Sequence, residues 1–442
     1  VLAAILLAAA ATATDVRAAI AADRWEEALT SARELAAANP DDPDATAVLG
    51  EALYRAGRID EAAAALAPLA GREGAPPRGI AQLGLAWAAQ GKDADGAKLL
   101  RRAAQEAPED PWILFNASGA TETRAAAIAM LEAYIAKGPG EDPDRIESAR
   151  GTIRLYRALG EREIWVGTTR PDRVELPLKP LLGEGASRGW VLEATLARGK
   201  KVRLLLDSGS TGLFVVERAV AKGGLQPLSE ETVFAGGGSG RTRSGRGILP
   251  SIAFGGLSFR DALVTTTTEE FDPQGRIHGV LGLSVFSGYR ATLDLAKGRL
   301  VLEKTEAVAD GAPYWSVSGQ MLVTAGAAGG GDGLFLFDTG ATRSSLGLSY
   351  AKRVPGAQIA DAATVRTYGG TVAGATTIRG VRMRFAGLES RGDAVTGADM
   401  TQRSRLGGVE ISGFLGLDLL DGKTIVVDTR QHRVAILAPA AR

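Results

Sequence analysis

The chain has no cysteine, which removes disulfides, thiolate nucleophiles and thiolate zinc sites together. Its only histidines are His278 and His432. That is too few for a histidine-rich metal site and restrictive for a Ser-His-Asp arrangement, which needs an imidazole beside an activated serine. Both are expected to be structural, and no metal or other cofactor is expected. Catalysis, if present, falls to carboxylates. An excess of charge of one sign is also missing, since 51 Lys and Arg balance 51 Asp and Glu. Neither nucleic acid nor an anionic membrane surface is therefore expected as the main partner. Long apolar runs are missing too. Residues 1–10 (VLAAILLAAA) fall short of the ~20 residues that a membrane span needs, so no stable span is expected. Ala11-Thr12-Ala13 follows as an A-x-A-like cleavage site. Residues 1–13 are read as a signal peptide shortened at its N-terminus, which puts the mature protein in a periplasm or outside the cell rather than in the cytoplasm. The alternative is the first turns of an Ala-rich helix.

What is present divides in two. Residues 14–160 are rich in Ala, Leu and Glu with apolar positions at helical spacing, whereas the later chain turns to Gly, Val, Thr and alternating patterns. The helical part repeats with a period of about 34 residues. Pro43, Pro77 and Pro111 fall in register, as do Gly50 with Gly84, Gly57 with Gly91, and Leu66 with Leu100. Small residues recur where paired helices approach and prolines where one pair gives way to the next, as stacked helical hairpins require. This pattern resembles the tetratricopeptide repeat, with Trp25-Glu26-Glu27-Ala28 opening the second helix of an earlier copy and residues 112–138 forming a later, shorter one. Such repeats imply a surface for a peptide or protein partner, or a spacer without one. Residues 161–189 carry turn chemistry around a short apolar stretch and read as a linker.

After Trp190 one series of features occurs twice. The apolar run 202–206 enters Asp207-Ser208-Gly209-Ser210-Thr211, and the run 334–337 enters Asp338-Thr339-Gly340-Ala341-Thr342. Ala235-Gly236-Gly237 recurs as Tyr368-Gly369-Gly370. Gly279-Val280-Leu281-Gly282-Leu283 recurs as Gly413-Phe414-Leu415-Gly416-Leu417, and each copy closes with a hairpin. One Asp-Ser/Thr-Gly tripeptide is an ordinary turn. Two copies, each set in the same ordered series, require more than a turn.

The segment from Trp190 to Leu437 resembles two retropepsin-like lobes in tandem, arranged as in the pepsin-like aspartic peptidases, and is closest to their glycine-rich bacterial members. The resemblance implies a multidomain α and β chain: an α-α helical repeat domain followed by a bilobal all-β acid-protease fold, with lobes at 190–305 and 312–442. It implies an aspartic endopeptidase with Asp207 and Asp338 as the catalytic pair. Two carboxylates held together cannot both ionise easily, so the pair keeps one proton and offers an acid and a base at once. Ser208 and Thr339 would tie the two loops together. Gly209 and Gly340 would admit the carboxyls, with Ser210 and Ala341 completing the turns. Leu281, Gly282, Leu415 and Gly416 would support the loops from beneath. Gly236, Gly237, Gly238 and Arg241 are flap candidates, the alternative being a solvated turn, and Tyr368 is a candidate flap or pocket aromatic of the second lobe, set against the reading preferred for it, a core or turn tyrosine. Asp294 and Asp428, which match each other, read as turn-forming carboxylates. The expected partner is a polypeptide substrate, with a protein partner on the repeat surface, and both lobes in one chain make a monomer sufficient. The competing reading is an inactive peptidase-like and repeat scaffold that binds peptide.

Overall fold

The computed structural model describes residues 12–138, 143–183, 186–234, 241–272, 274–306, 310–362, 365–367, 370–372 and 374–437. The apolar run read as a signal peptide lies outside them. The chain forms two compact units, Val1–Pro139 with Ser404–Glu410, and Gly140–Arg403 with Ile411–Arg442.

The first unit is a row of helical pairs: α1 (Ala13–Ala21) with α2 (Trp25–Ala38), α3 (Pro43–Arg55) with α4 (Ile59–Leu66), α5 (Pro77–Ala89) with α6 (Asp93–Glu106), and α7 (Pro111–Ser118) with α8 (Arg124–Lys137). Pro43, Pro77 and Pro111 each occupy the first turn of their helix, where a missing N–H costs nothing. Asp42 and Asp110 cap two of these helices by accepting backbone N–H groups. The turns inside successive pairs use the left-handed region at Asp23 (φ 58°), Gly57 (φ 79°) and Gly91 (φ 81°), spaced as the repeat demands. The glycines at 50 and 84 mark the closest approach of paired helices. A Cβ at Gly50 would stand 2.2 Å from Leu66 Cγ, and one at Gly84 would stand 3.0 Å from Leu100 Cγ and 2.8 Å from the Gly96 carbonyl. The segment Ser404–Glu410 is part of this unit, with Arg405 paired to Asp23 and the Glu410 N–H donating to the Arg55 carbonyl.

The second unit opens with α9 (Pro143–Leu159), whose Leu155 and Leu159 pack on Ile248. Residues 161–189, expected to be a linker, are instead built into the sheets. Val166–Thr169 pairs with Leu257–Thr267, Arg173–Pro177 with Arg299–Glu303, and Lys179–Gly183 with Ala186–Leu196. Val174 and Leu176 point into the core while their neighbours face out, the period of a half-buried strand.

Two barrel-like sheet systems repeat one connectivity. In the first, Lys201–Leu206 lies antiparallel to Ala186–Leu196 and parallel to Gly279–Leu281, which pairs antiparallel with Leu213–Val216. In the second, Asp332–Phe337 lies antiparallel to Gln320–Ala327 and parallel to Gly413–Leu415, which pairs antiparallel with Ser345–Gly347. Each central strand is flanked on both edges, and the runs Leu204 to Leu206 and Leu334 to Phe337 are buried without alternation, which means that both of their faces are covered. The closing hairpins, Arg290–Asp294 with Arg299–Glu303 and Thr424–Asp428 with Arg433–Leu437, pair with each other through Arg290–Asp294 and Thr424–Asp428. Asp294 and Asp428 accept backbone N–H groups of the turns that follow them.

The helix approach at Gly84 meets backbone that cannot move aside. Gly84→Ala is expected to cost about 1–3 kcal/mol by overpacking, whereas Gly71→Ala, with nothing within 4 Å, stays within about 0.5 kcal/mol. Urea unfolding followed by circular dichroism measures both.

Candidate active site

Each aspartate is delivered by the end of a buried strand. The Asp207 N–H donates to the Leu281 carbonyl at 2.9 Å, and the Asp338 N–H donates to the Leu415 carbonyl at 3.0 Å. The parallel strand beneath each loop thus fixes the backbone of its aspartate, and the support expected of Leu281 and Leu415 is a carbonyl as well as a buried side chain.

Ser208 and Thr339 cross between the two loops. The Ser208 N–H donates to Thr339 Oγ1 (3.1 Å), and the Thr339 N–H donates to Ser208 Oγ (3.0 Å). Ser208 Oγ in turn donates to the Phe337 carbonyl (2.7 Å), and Thr339 Oγ1 to the Leu206 carbonyl (3.1 Å). Each buried hydroxyl therefore donates once and accepts once.

The crossing sets the carboxyl of one loop against the glycine of the other. A Cβ at Gly209 would lie 2.8 Å from Asp338 Cγ, and one at Gly340 would lie 2.5 Å from Asp207 Cγ. Space, not backbone conformation, requires glycine here. Asp207 accepts the Gly209 N–H (2.8 Å) and the Ser210 hydroxyl (2.7 Å), and Asp338 accepts the N–H groups of Gly340 and Ala341, both at 2.9 Å. The two carboxyls face each other closely, since a Cβ at Gly209 would also lie 3.2 Å from Asp207 Oδ1. Burial raises the pKa of Asp338 well above the usual carboxylate range. The charge of Asp207 and their shared hydrogen bond add to this, and the Ala341 and Gly340 N–H groups oppose it.

Beneath the loops, a Cβ at Gly282 would stand 2.2 Å from the Ser210 carbonyl and one at Gly416 would stand 2.5 Å from the Arg343 carbonyl carbon. Here the halves diverge. Ser284 Oγ accepts the Gly212 N–H at 2.9 Å in one half. In the other, Asp418 accepts both the N–H and the hydroxyl of Ser344, whose oxygen accepts the Gly416 N–H. Ser284 and Asp418 occupy matching places one residue past the repeated apolar-Leu-Gly-Leu segment, so extending that repeat by a single position finds both. Arg403 is a further group that the motifs do not reveal. Its guanidinium lies 5.2 Å above the Phe414 ring, its pKa lowered by burial and raised again by Asp338 and Asp207.

Gln226–Phe234 and Arg241–Phe254 pair antiparallel, and Gly236, Gly237 and Gly238, which fall between them in sequence, lie outside the described residues. Arg241 begins the returning strand. Tyr368 lies outside the described residues as well, between the paired strands Val365–Thr367 and Gly370–Val372. The histidines are placed elsewhere. His278 Nδ1 accepts the Arg203 N–H at 3.0 Å with its pKa lowered by burial, and His432 stacks on Tyr314.

A family model described as aspartyl protease matches residues 192–285, and one described as tetratricopeptide repeat matches residues 19–79. No curated protein matches. Among solved structures, a thermophilic TPR protein of Thermus thermophilus is 21% identical over 33% of this chain and 79% of its own, with a TM-score of 0.28. MamA of Desulfovibrio magneticus is 16% identical over 34% of this chain and 94% of its own (TM-score 0.24). The protein titled edgp is 12% identical over 61% of this chain and 95% of its own (TM-score 0.35). The chain thus combines an aspartyl protease-like domain with tetratricopeptide repeats.

The raised pKa of Asp338 carries a sign for stability. The folded state holds this proton more tightly than the unfolded chain does, so its contribution is complete at acid pH and is lost as pH rises through the folded pKa. Asp338→Asn removes the ionisation. The variant is expected to melt above wild type near pH 8, with the difference shrinking toward about pH 4, as read by calorimetry across that range.

Proposed function

We propose that the chain is an aspartic endopeptidase, with the duplicated sheets acting as the two lobes of an acid-protease fold and Asp207 and Asp338 as the acid and base of peptide hydrolysis. The observation that carries this reading is the pair of hydrogen-bonded carboxyls held where the two Asp-Ser/Thr-Gly loops cross.

Two such carboxyls titrate as a unit and keep one proton over a wide pH range. The ionised member takes a proton from a water molecule as its oxygen attacks the peptide carbonyl carbon. The protonated member donates to the carbonyl oxygen, giving a neutral tetrahedral diol. On collapse, the C–N bond breaks, the amine nitrogen takes a proton from one carboxyl, and a diol hydroxyl returns its proton to the other. Peptide and water become acid and amine, with the pair restored and no covalent enzyme intermediate. The hydrogen bonds from Gly209, Ser210, Gly340 and Ala341 hold the carboxyl planes through this exchange. The hairpin ending at Phe234 and resuming at Arg241 would serve as a flap that excludes water. The repeat surface would recruit the polypeptide substrate or a protein partner. Export to a periplasm or beyond the cell fits the apolar N-terminal run, and one chain supplies both aspartates, so a monomer would suffice.

Incubation with unfolded casein between about pH 3 and about pH 8 tests the reading. Fragments are expected from wild type, with competition by pepstatin-type transition-state mimics. Asp207→Asn and Asp338→Asn should each lower the rate by about 10²–10⁴-fold or more. A single variant that cleaves as well as wild type would contradict a shared pair.

A further inference from the structure

Arg403 lies in the short helix Thr401–Gly407, above a strand that serves the aspartate pair directly. Its guanidinium covers Phe414 of Gly413–Leu415, a strand in register with Asp332–Phe337 through Leu336 opposite Phe414 and Phe337 opposite Leu415. The next carbonyl, that of Leu415, accepts the Asp338 N–H. Both Asp338 and Asp207 act electrostatically on Arg403. Among the described residues, no carboxylate lies within ion-pair distance of it and no acceptor takes any of its N–H groups.

That combination is uncommon for a half-buried arginine. Even partial withdrawal of a cation from water without hydrogen bonds is costly, and arginines in such places are ordinarily paired. The attraction of a cation for an aromatic ring uses none of the guanidinium's N–H groups as conventional hydrogen-bond donors to oxygen. Those donors match a carboxylate in bidentate fashion. A second carboxylate approaching the aspartate pair would meet like charge, so a cation placed there decides whether an acidic group is tolerated or rejected.

We propose that Arg403 binds a carboxylate of the substrate beside the reacting peptide bond, making chains with an acidic group near the cleavage point the preferred substrates. This rests on the peptidase reading. The carboxylate can come from an Asp or Glu side chain or from the substrate's own C-terminus, and the shared chemistry is a planar oxyanion opposite a guanidinium fork.

The test uses the full-length protein and peptides that differ at one position near the cleaved bond, with Glu, Gln or Lys there, each made with a free and an amidated C-terminus. Wild type is expected to favour Glu over Gln, or the free over the amidated end, by about tenfold or more in kcat/KM, the effect of a charge-assisted pair. A preference seen only in the side-chain arm or only in the C-terminal arm identifies which carboxylate is bound. Arg403→Gln should collapse that ratio toward one, Arg403→Lys should restore part of it, and Arg403→Glu should turn it toward the Lys peptide. The ratio matters because a general structural defect lowers both substrates together and leaves it unchanged. No preference in wild type, or an undiminished preference in Arg403→Gln, overturns the proposal, and the wild-type arm decides even where a variant does not fold. Binding of the same peptides, read by fluorescence anisotropy, separates the two claims. Arg403-dependent binding without cleavage sinks the peptidase reading alone, and cleavage with no dependence on Arg403 sinks this inference alone.

Discussion

The site depends on the crossing of Ser208 and Thr339. Holding two carboxyls against each other in a partly buried place is unfavourable, and only a frame that over-determines their positions can keep them there. Four hydrogen bonds supply that frame, each worth a net ~0.5–1.5 kcal/mol where made and more than that when a buried partner is left unsatisfied. Because each hydroxyl bridges from one loop to the other, neither half can relax without the other. The antiparallel pairing of the closing hairpins does the same at larger scale by joining Arg290–Asp294 to Thr424–Asp428.

Symmetry in the frame does not extend to the carboxyls. Asp207 is held by an N–H and a hydroxyl, Asp338 by two N–H groups, since Ser210 stands in one loop where Ala341 stands in the other. Beneath them, a serine braces one loop and an aspartate with a second serine braces the other. Arg403 belongs to one half only, so an electric field from one side falls on a pair whose backbone support is nearly two-fold symmetric. The two carboxyls thus sit in an asymmetric setting before any substrate arrives.

How much of this the sequence discloses follows from what each feature depends on. The repeat spacing of glycines and leucines is legible because one steric contact, Gly50 on Leu66 and Gly84 near Leu100, recurs with the same period. The aspartate loops are legible because a buried strand, a tight turn and a supporting Leu-Gly segment must all be written twice. Residues 161–189 are not legible as strands. Their turn residues dominate the local pattern, while their partners lie far along the chain, as with Arg173 and Glu303, 130 residues apart. Likewise, helical periodicity marks Pro143–Leu159 as a helix but cannot say that Leu155 and Leu159 find Ile248 rather than another repeat. Arg403 carries no motif at all, because its setting is made by a ring and two carboxyls from separate parts of the chain.

The central claim is that Asp207 and Asp338 hold one proton jointly. Carbon-13 NMR of aspartate carboxyls, titrated in wild type and in Asp207→Asn, tests it most directly. The account predicts two coupled steps in wild type, one of them above the ordinary carboxylate range, and loss of that coupling in the variant. Two carboxyls that titrate independently in the ordinary range, unchanged by the substitution, would contradict it.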